Sequence, residues 1–433
     1  MENDRPATTS QGRRRGGKPG KIHLALSYPA LIGLTLLLIA PTVLVVVFYA
    51  SHKPTVSAGG PIAAKTDAVL APESIHGKPG PWGELVYLPI HISPPMELIE
   101  ASNGYLPETR WYFPNNLQAQ VQALFMEKDI TDAQREAILK SVQPAPDIDG
   151  FVAVPPQDVV YGLSPEARAR IYKSLARSPL NRSQANAFRF CGETVDEWLD
   201  GSDVRPETRD RVRTLTYRNG RFMLFADLPA VIPALKGQEE KLGLIKALSH
   251  EATFLIRLQV DDKSDVDALV TYWGRGGRAK DVRPILESVA ELHGSRAIAV
   301  PYLLPPFVRQ RIYTYPEVSE EPNASHRDCH WTALNFFSEQ PDDRLTNREY
   351  AAKVIESDYY RIYSGFQLGD LIVFMTGPSN IIHSCVYIAD DVVFTKNGSR
   401  PSNPWMFMRL EDMKDFYPTE TPLTVSFLRH KGI

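Results

Sequence analysis

Cysteine is scarce in this chain: Cys191, Cys329 and Cys385 are the only three in 433 residues. So small and odd a set makes no disulfide framework, and at least one thiol is left free. An excess of charge of either sign is missing too. The net charge is −3 with 23% charged residues, so no basic surface calls for nucleic acid and no acidic tail calls for a cation. The stretch Gly274-Arg-Gly-Gly-Arg278 lacks the Gly-Lys-Ser/Thr ending and the strand–loop–helix frame of a phosphate-cradling loop, and reads as a surface turn. His383 and Cys385, two apart on one strand face, have no second Cys/His pair at ligand spacing. No metal and no cofactor is therefore expected. Three glycosylation-like triplets, at Asn181, Asn323 and Asn397, are matches short enough to arise by chance.

A long apolar run is present, near the start. From Ala30 to Ala50 there is no charge, and Pro29 marks its border. About 20 such residues span a hydrocarbon core of roughly 30 Å. Arg5, Arg13, Arg14, Arg15, Lys18 and Lys21 precede the run, whereas only Lys53 and Lys65 follow it closely. That bias predicts a basic cytoplasmic segment over 1–22, a transmembrane anchor over 23–50 and a C-terminal body on the far side of the cytoplasmic membrane. A cleaved signal peptide, the rival reading, has a shorter apolar region.

Residues 51–81, rich in Pro, Gly, Ala and Ser, read as a flexible linker. Residues 82–149 read as a small α+β spacer: a strand at Leu85–Ile90, a helix at Asn115–Glu127, and a second helix started by Thr131-Asp132. Beyond them, four matches recur in the same order. Tyr161–Tyr172 is echoed by Tyr302–Tyr313, Cys191–Thr194 by Cys329–Thr332, Gly220–Phe225 by Gly369–Phe374, and His250–Leu255 by His383–Ile388. The offsets are 141, 138, 149 and 133 residues. The order suggests a duplicated module, and two copies suggest tandem globular domains, at 150–299 and 300–433, rather than a solenoid. In the second copy a helix from about Cys329 to Ser338 precedes strands at Leu371–Met375, Ser384–Ala389 and Val392–Lys396, with Asp390-Asp391 turning a hairpin. That is an α+β pattern, a helix packed on an antiparallel sheet.

The chemistry gathers in the second copy. A helix N-terminus and a neighbouring imidazole both lower a thiol's pKa. Asp328 can cap a helix that begins at Cys329, and His383 opens an apolar strand. Thr395 and Asn397 lie two apart on the following strand and share a face, so either can hold the ring by its other nitrogen. Asn397 is the preferred holder. The backbone N–H of Cys329, with that of His330, would make an oxyanion site. Cys191 and His250, 59 residues apart, are the first copy's equivalents. Phe190 stands there in place of the capping Asp, Arg221 in place of Asp370, and acidic residues follow the Cys, so this copy reads as degenerate.

The ordered set Asp328-Cys329, Gly369-Asp370-Leu371 and His383 resembles the NlpC-type family of papain-like cell-wall peptidases. The resemblance covers roughly residues 311–417. The usual Cys-Ser-Gly is Cys329-His-Trp here, the residue twelve after His383 is Thr395, and the candidates for the family's tyrosine are Tyr313 and Tyr315. It implies Cys329 as nucleophile, His383 as base, a bacterial envelope setting, and cleavage of an amide in a peptide or peptidoglycan-like substrate. The expected whole is thus an α+β protein with an N-terminal transmembrane helix followed by two tandem papain-like (NlpC-type) domains, the first degenerate. The alternative from another class is a non-catalytic envelope scaffold that binds a peptide or protein in the same groove. Acyl transfer to or from lipid is a third reading.

Overall fold

The computed structural model describes residues 74–101, 108–116, 118–292, 294–317, 327–377, 380–417 and 422–433. The basic segment 1–22, the apolar segment 23–50, most of the linker 51–81 and Asn323 lie outside them. The described residues belong to one compact unit, 70–433.

The strands, in chain order, are β1 Ile75–His76, β2 Glu84–Ile92, β3 Trp111–Pro114, β4 Val142–Pro144, β5 Gly150–Ala153 and β6 Phe188–Cys191. They continue with β7 Tyr217–Asn219, β8 Phe222–Phe225, β9 Glu251–Val260, β10 Arg296–Ala299 and β11 Tyr359–Ile362. The last are β12 Leu371–Thr376, β13 Ile381–Ala389, β14 Val392–Lys396, β15 Trp405–Arg409 and β16 Leu423–His430. Four helices carry or brace the residues of interest: α1 Pro165–Leu175, α2 Gln238–Leu248, α3 Cys329–Leu334 and α4 Leu410–Phe416. Local signals set several boundaries. Thr131 forms a reciprocal capping box with Gln134 and starts the helix Asp132–Lys140. Asp390, at φ +54°, turns the β13–β14 hairpin.

A six-stranded antiparallel sheet, ordered β11-β16-β12-β13-β14-β15, forms the C-terminal half. Its central strands are nearly unbroken apolar runs because both faces are buried. On one face Leu371, Val386, Ile388 and Phe394 pack with Trp331 and Phe336. On the other, Ile372, Phe374, Cys385, Tyr387 and Val393 pack with Phe222 and Met413. A second sheet, β1-β2-β9-β10, shares the first of these cores, and two three-stranded sheets, β3-β5-β4 and β6-β8-β7, complete the set.

The structure is α+β, but the fold expected from sequence does not stand. No helix among the described residues is long and apolar enough to cross a membrane. Nor do two tandem papain-like domains emerge. In the supposed second copy β12 pairs directly with β13. Their counterparts β8 and β9 lie in different sheets: β8 between β6 and β7, β9 between β2 and β10. Cys329 begins a helix, whereas Cys191 ends a strand opposite Phe222. The four sequence echoes are local likenesses that different tertiary pairings override.

Glu240, near the start of α2, collects four donors. Arg205 reaches it at 2.7 and 3.1 Å, the Lys236 N–H at 2.6 Å and the Thr208 hydroxyl at 3.0 Å. The Arg205 hydrogen bonds are the largest cause of a carboxyl pulled down to about 2. Between pH 2 and the ordinary glutamate value of 4.5 the unfolded chain then binds the proton that the folded chain refuses, so stability falls as pH drops through that window. Glu240→Gln should flatten this acid limb, measured as denaturant midpoints from pH 5 to pH 2.

Candidate active site

α3 begins where the sequence says it should. Asp328 Oδ1 accepts from the N–H groups of His330 (2.9 Å) and Trp331 (3.0 Å), satisfying two of the helix's open donors. The helix is then pinned. Trp331 is fully buried and donates to Asp343 at 3.0 Å, while Thr332 accepts from Trp405 at 3.0 Å. Gly369 has φ +89°, and a Cβ there would lie 2.1 Å from the Phe337 ring just beyond α3, so only glycine fits. Asp370 is structural: it accepts from Arg429 at 2.8 and 2.7 Å and from the Gln367 N–H at 2.7 Å, tying β16 to the start of β12.

Side chains alternate along β13. Ser384 turns toward α3 and meets His330 Nδ1 at 2.8 Å. His383 lies on the other face, 5.7 Å from the Phe374 ring centroid and stacked on Tyr417 at 4.5 Å. The His383 ring is completely buried. Its Nε2 is 3.1 Å from Thr395 Oγ1, and the Thr395 hydroxyl donates to Asn397 Oδ1 at 3.2 Å. With that hydroxyl proton spent on Asn397, Thr395 accepts from Nε2–H, which leaves Nδ1 as a bare lone pair. Nδ1 has no hydrogen-bond partner among the described residues. The order of the two orienting groups is therefore corrected: Thr395 touches the ring and Asn397 holds Thr395.

Cys329 is 5% exposed. Its sulfur takes the N–H of Ser384, the residue after His383, but no hydrogen bond joins it to the His383 ring. Burial, followed by the charge of Asp328, pushes the thiol up to about 12. Burial, followed by His330, holds the His383 imidazole well below its ordinary value. The expected thiolate–imidazolium pair is thus replaced by a neutral thiol and a neutral ring. A helix terminus contributes about 0.3–1 kcal/mol toward an anion, too little to offset such desolvation.

No family model, curated protein or solved structure matches this chain. The site must be read from its own atoms.

Three neighbours carry no sequence signal strong enough to single out their side chains: His330, Tyr417 and Lys396. His330 enters the sequence reading for its backbone alone, and Tyr417 lies beyond the last motif. Lys396 is completely buried and donates to the carbonyls of Gly398 (2.6 Å) and Arg400 (2.9 Å), fixing the turn after Asn397. Burial is the chief cause of an ammonium lowered to about 8. A cleft of about 860 Å³ opens beside this turn, lined by Asn181, Arg189, Glu251, Asn397, Arg400 and Tyr417 among others. It reaches the relay from the Asn397 end.

The first-copy residues make no comparable site. Burial and then Asp412 push the Cys191 thiol up to about 12. His250 stacks on His91, with ring centroids 6.4 Å apart, and its buried Nδ1 has no partner among the described residues. Arg221 binds Asp412 of α4 at 2.7 Å. Cys385 is buried on the His383 face, and the Gly274–Arg278 stretch is a turn leading into the helix Ala279–Ala290.

Proposed function

We propose that this protein is a cysteine hydrolase that cleaves an amide through an acyl-enzyme, chemistry similar to that of the NlpC-type peptidases it resembles, with peptides of the cell-wall stem kind as the substrate class. The observation that carries the reading is the bare, buried Nδ1 of His383 on a ring whose other nitrogen is held by Thr395 and, behind it, Asn397. A general base needs such a lone pair, and an orienting contact on the far nitrogen selects the tautomer that exposes it.

In this mechanism Cys329 attacks as a neutral thiol. Its proton passes to His383 Nδ1 as the carbon–sulfur bond forms, and the ring returns that proton to the departing amine. Water, deprotonated by the same nitrogen, then releases the acyl group and restores the thiol. The N–H of Cys329 serves the developing oxyanion; the His330 N–H, expected from sequence to join it, is taken by Asp328 Oδ1. Substrate must draw Sγ from the Ser384 N–H to Nδ1, since catalytic contacts commonly tighten only in the complex.

A resting neutral thiol also favours a second reading, a binding body without turnover. The two separate on labelling. At pH 7 a thiol at 12 is ionised in about one part in 10⁵, against about one in 10² for a thiol at 9. Iodoacetamide should therefore alkylate Cys329 about a thousandfold more slowly than a free cysteine. A peptide-based electrophile that fills the cleft should label it rapidly, and only when His383 is intact. Equal, slow reaction with both reagents, followed by mass spectrometry of the labelled peptide, would leave the binding body standing.

A further inference from the structure

We propose that Asp328, Cys329 and His330 form a binding site for a soft divalent cation of the Zn²⁺ kind, and that the bound ion caps the thiol and holds the centre inactive. The capping role rests on the hydrolase reading above; the binding does not. A carboxylate oxygen, the sulfur and a ring nitrogen of these three residues lie within 4.8 Å of one another. Around a tetrahedral zinc, with bonds of about 2.0–2.3 Å, ligand atoms stand roughly 3.3–3.8 Å apart, so a shift of about 1 Å completes the set.

The contacts around the three are those a metal site needs. The helix cap uses Asp328 Oδ1 for both N–H groups, and Oδ2 is not part of it. Ser384 takes His330 Nδ1 at 2.8 Å, the outer contact that orients a ligating ring, and Nε2 is its remaining ligand nitrogen. His383, whose buried Nδ1 has no partner among the described residues, is not one of the set, so the fourth coordination position falls to water. Three consecutive ligands escape a search for paired Cys and His at fixed spacing; the helix start is what folds them onto one point.

On binding, the sulfur–hydrogen bond breaks, a sulfur–metal bond forms and one proton goes to solvent, with no change of oxidation state. The test uses the full chain stripped with a chelator, then titrated with Zn²⁺ against a chromophoric competitor and, separately, with Cd²⁺ to read the ultraviolet thiolate–cadmium band. One ion should bind with a dissociation constant below about 1 µM. Cys329→Ser should abolish the band, Cys385→Ser should keep it, and His330→Ala should weaken binding at least about tenfold. Circular dichroism of each variant separates lost ligands from lost fold. No uptake by the folded chain, or a band that survives Cys329→Ser, would overturn the site. Labelling of Cys329 by the peptide electrophile should stop with Zn²⁺ and return with chelator; labelling that ignores bound zinc would overturn the cap. Zinc uptake by a chain that never labels even when metal-free would support the site and sink the hydrolase reading instead.

Discussion

His383→Gln is expected to slow acylation of Cys329 by about 10²–10⁴-fold, the usual contribution of a positioned general base. The loss should be large because Lys396, a nitrogen base beside the Thr395–Asn397 pair, is engaged by two carbonyls. Glutamine keeps the volume and can still meet Thr395, so the buried layer around Phe374 and Tyr417 has no cavity to collapse into. Cys329→Ala must remove labelling altogether. Thr395→Val should act through the ring: it keeps the base but frees its tautomer, lowering the rate and moving the acid limb of the pH profile. Stopped-flow labelling across pH distinguishes the three. A rate in His383→Gln equal to wild type would end the assignment.

Arg168→Ala is expected to cost about 3–5 kcal/mol of stability, enough to unfold a marginal protein at ordinary temperature. Arg168 and Asp227 are both fully buried and joined at 3.0 Å. Asp227 also accepts from the Tyr172 hydroxyl, and the guanidinium donates to the carbonyls of Val160 (2.6 Å), Leu163 and Thr214 (both 3.3 Å). Removing the cation strands a buried carboxylate and three backbone acceptors together, which is why the penalty exceeds that of an exposed ion pair. Urea midpoints of Arg168→Ala, Asp227→Asn and the double variant measure it. The double variant should recover part of the loss; strictly additive losses would show that the two groups do not act as a pair.

Arg168 is visible in the sequence only as one half of the echo with Arg309, and Arg309 is exposed. That contrast marks the boundary of what sequence reading reaches. Signals that act within a few residues, such as the Thr131 box, the Asp328 cap and the Asp390-Asp391 turn, fix local conformation through bonds the chain makes with itself. The strands β12 to β14 are legible for the same reason, as apolar runs broken by that turn. Which strand lies beside which depends on partners far along the chain, and β8 and β9 take partners that their sequence echoes do not foretell. The site shows the same division. Period-two spacing places Thr395 and Asn397 together, but which one reaches the ring depends on how β13 is offset against its neighbours, where register breaks occur at Phe374/Met375 and Tyr387/Ala389. Burial of Cys329 under the C-terminal layers is equally out of reach, since no local pattern encodes desolvation.

The pairing of β2 with β9 has a consequence for synthesis. Ile92 bonds beside Glu251, so the strand leaves the ribosome roughly 160 residues before the segment that will cover it. At about 5–20 residues per second it waits on the order of ten to thirty seconds with Leu85, Val86 and Tyr87 unprotected. A nascent chain stalled short of residue 260 should therefore be prone to capture by chaperones, and one stalled beyond 300 should not.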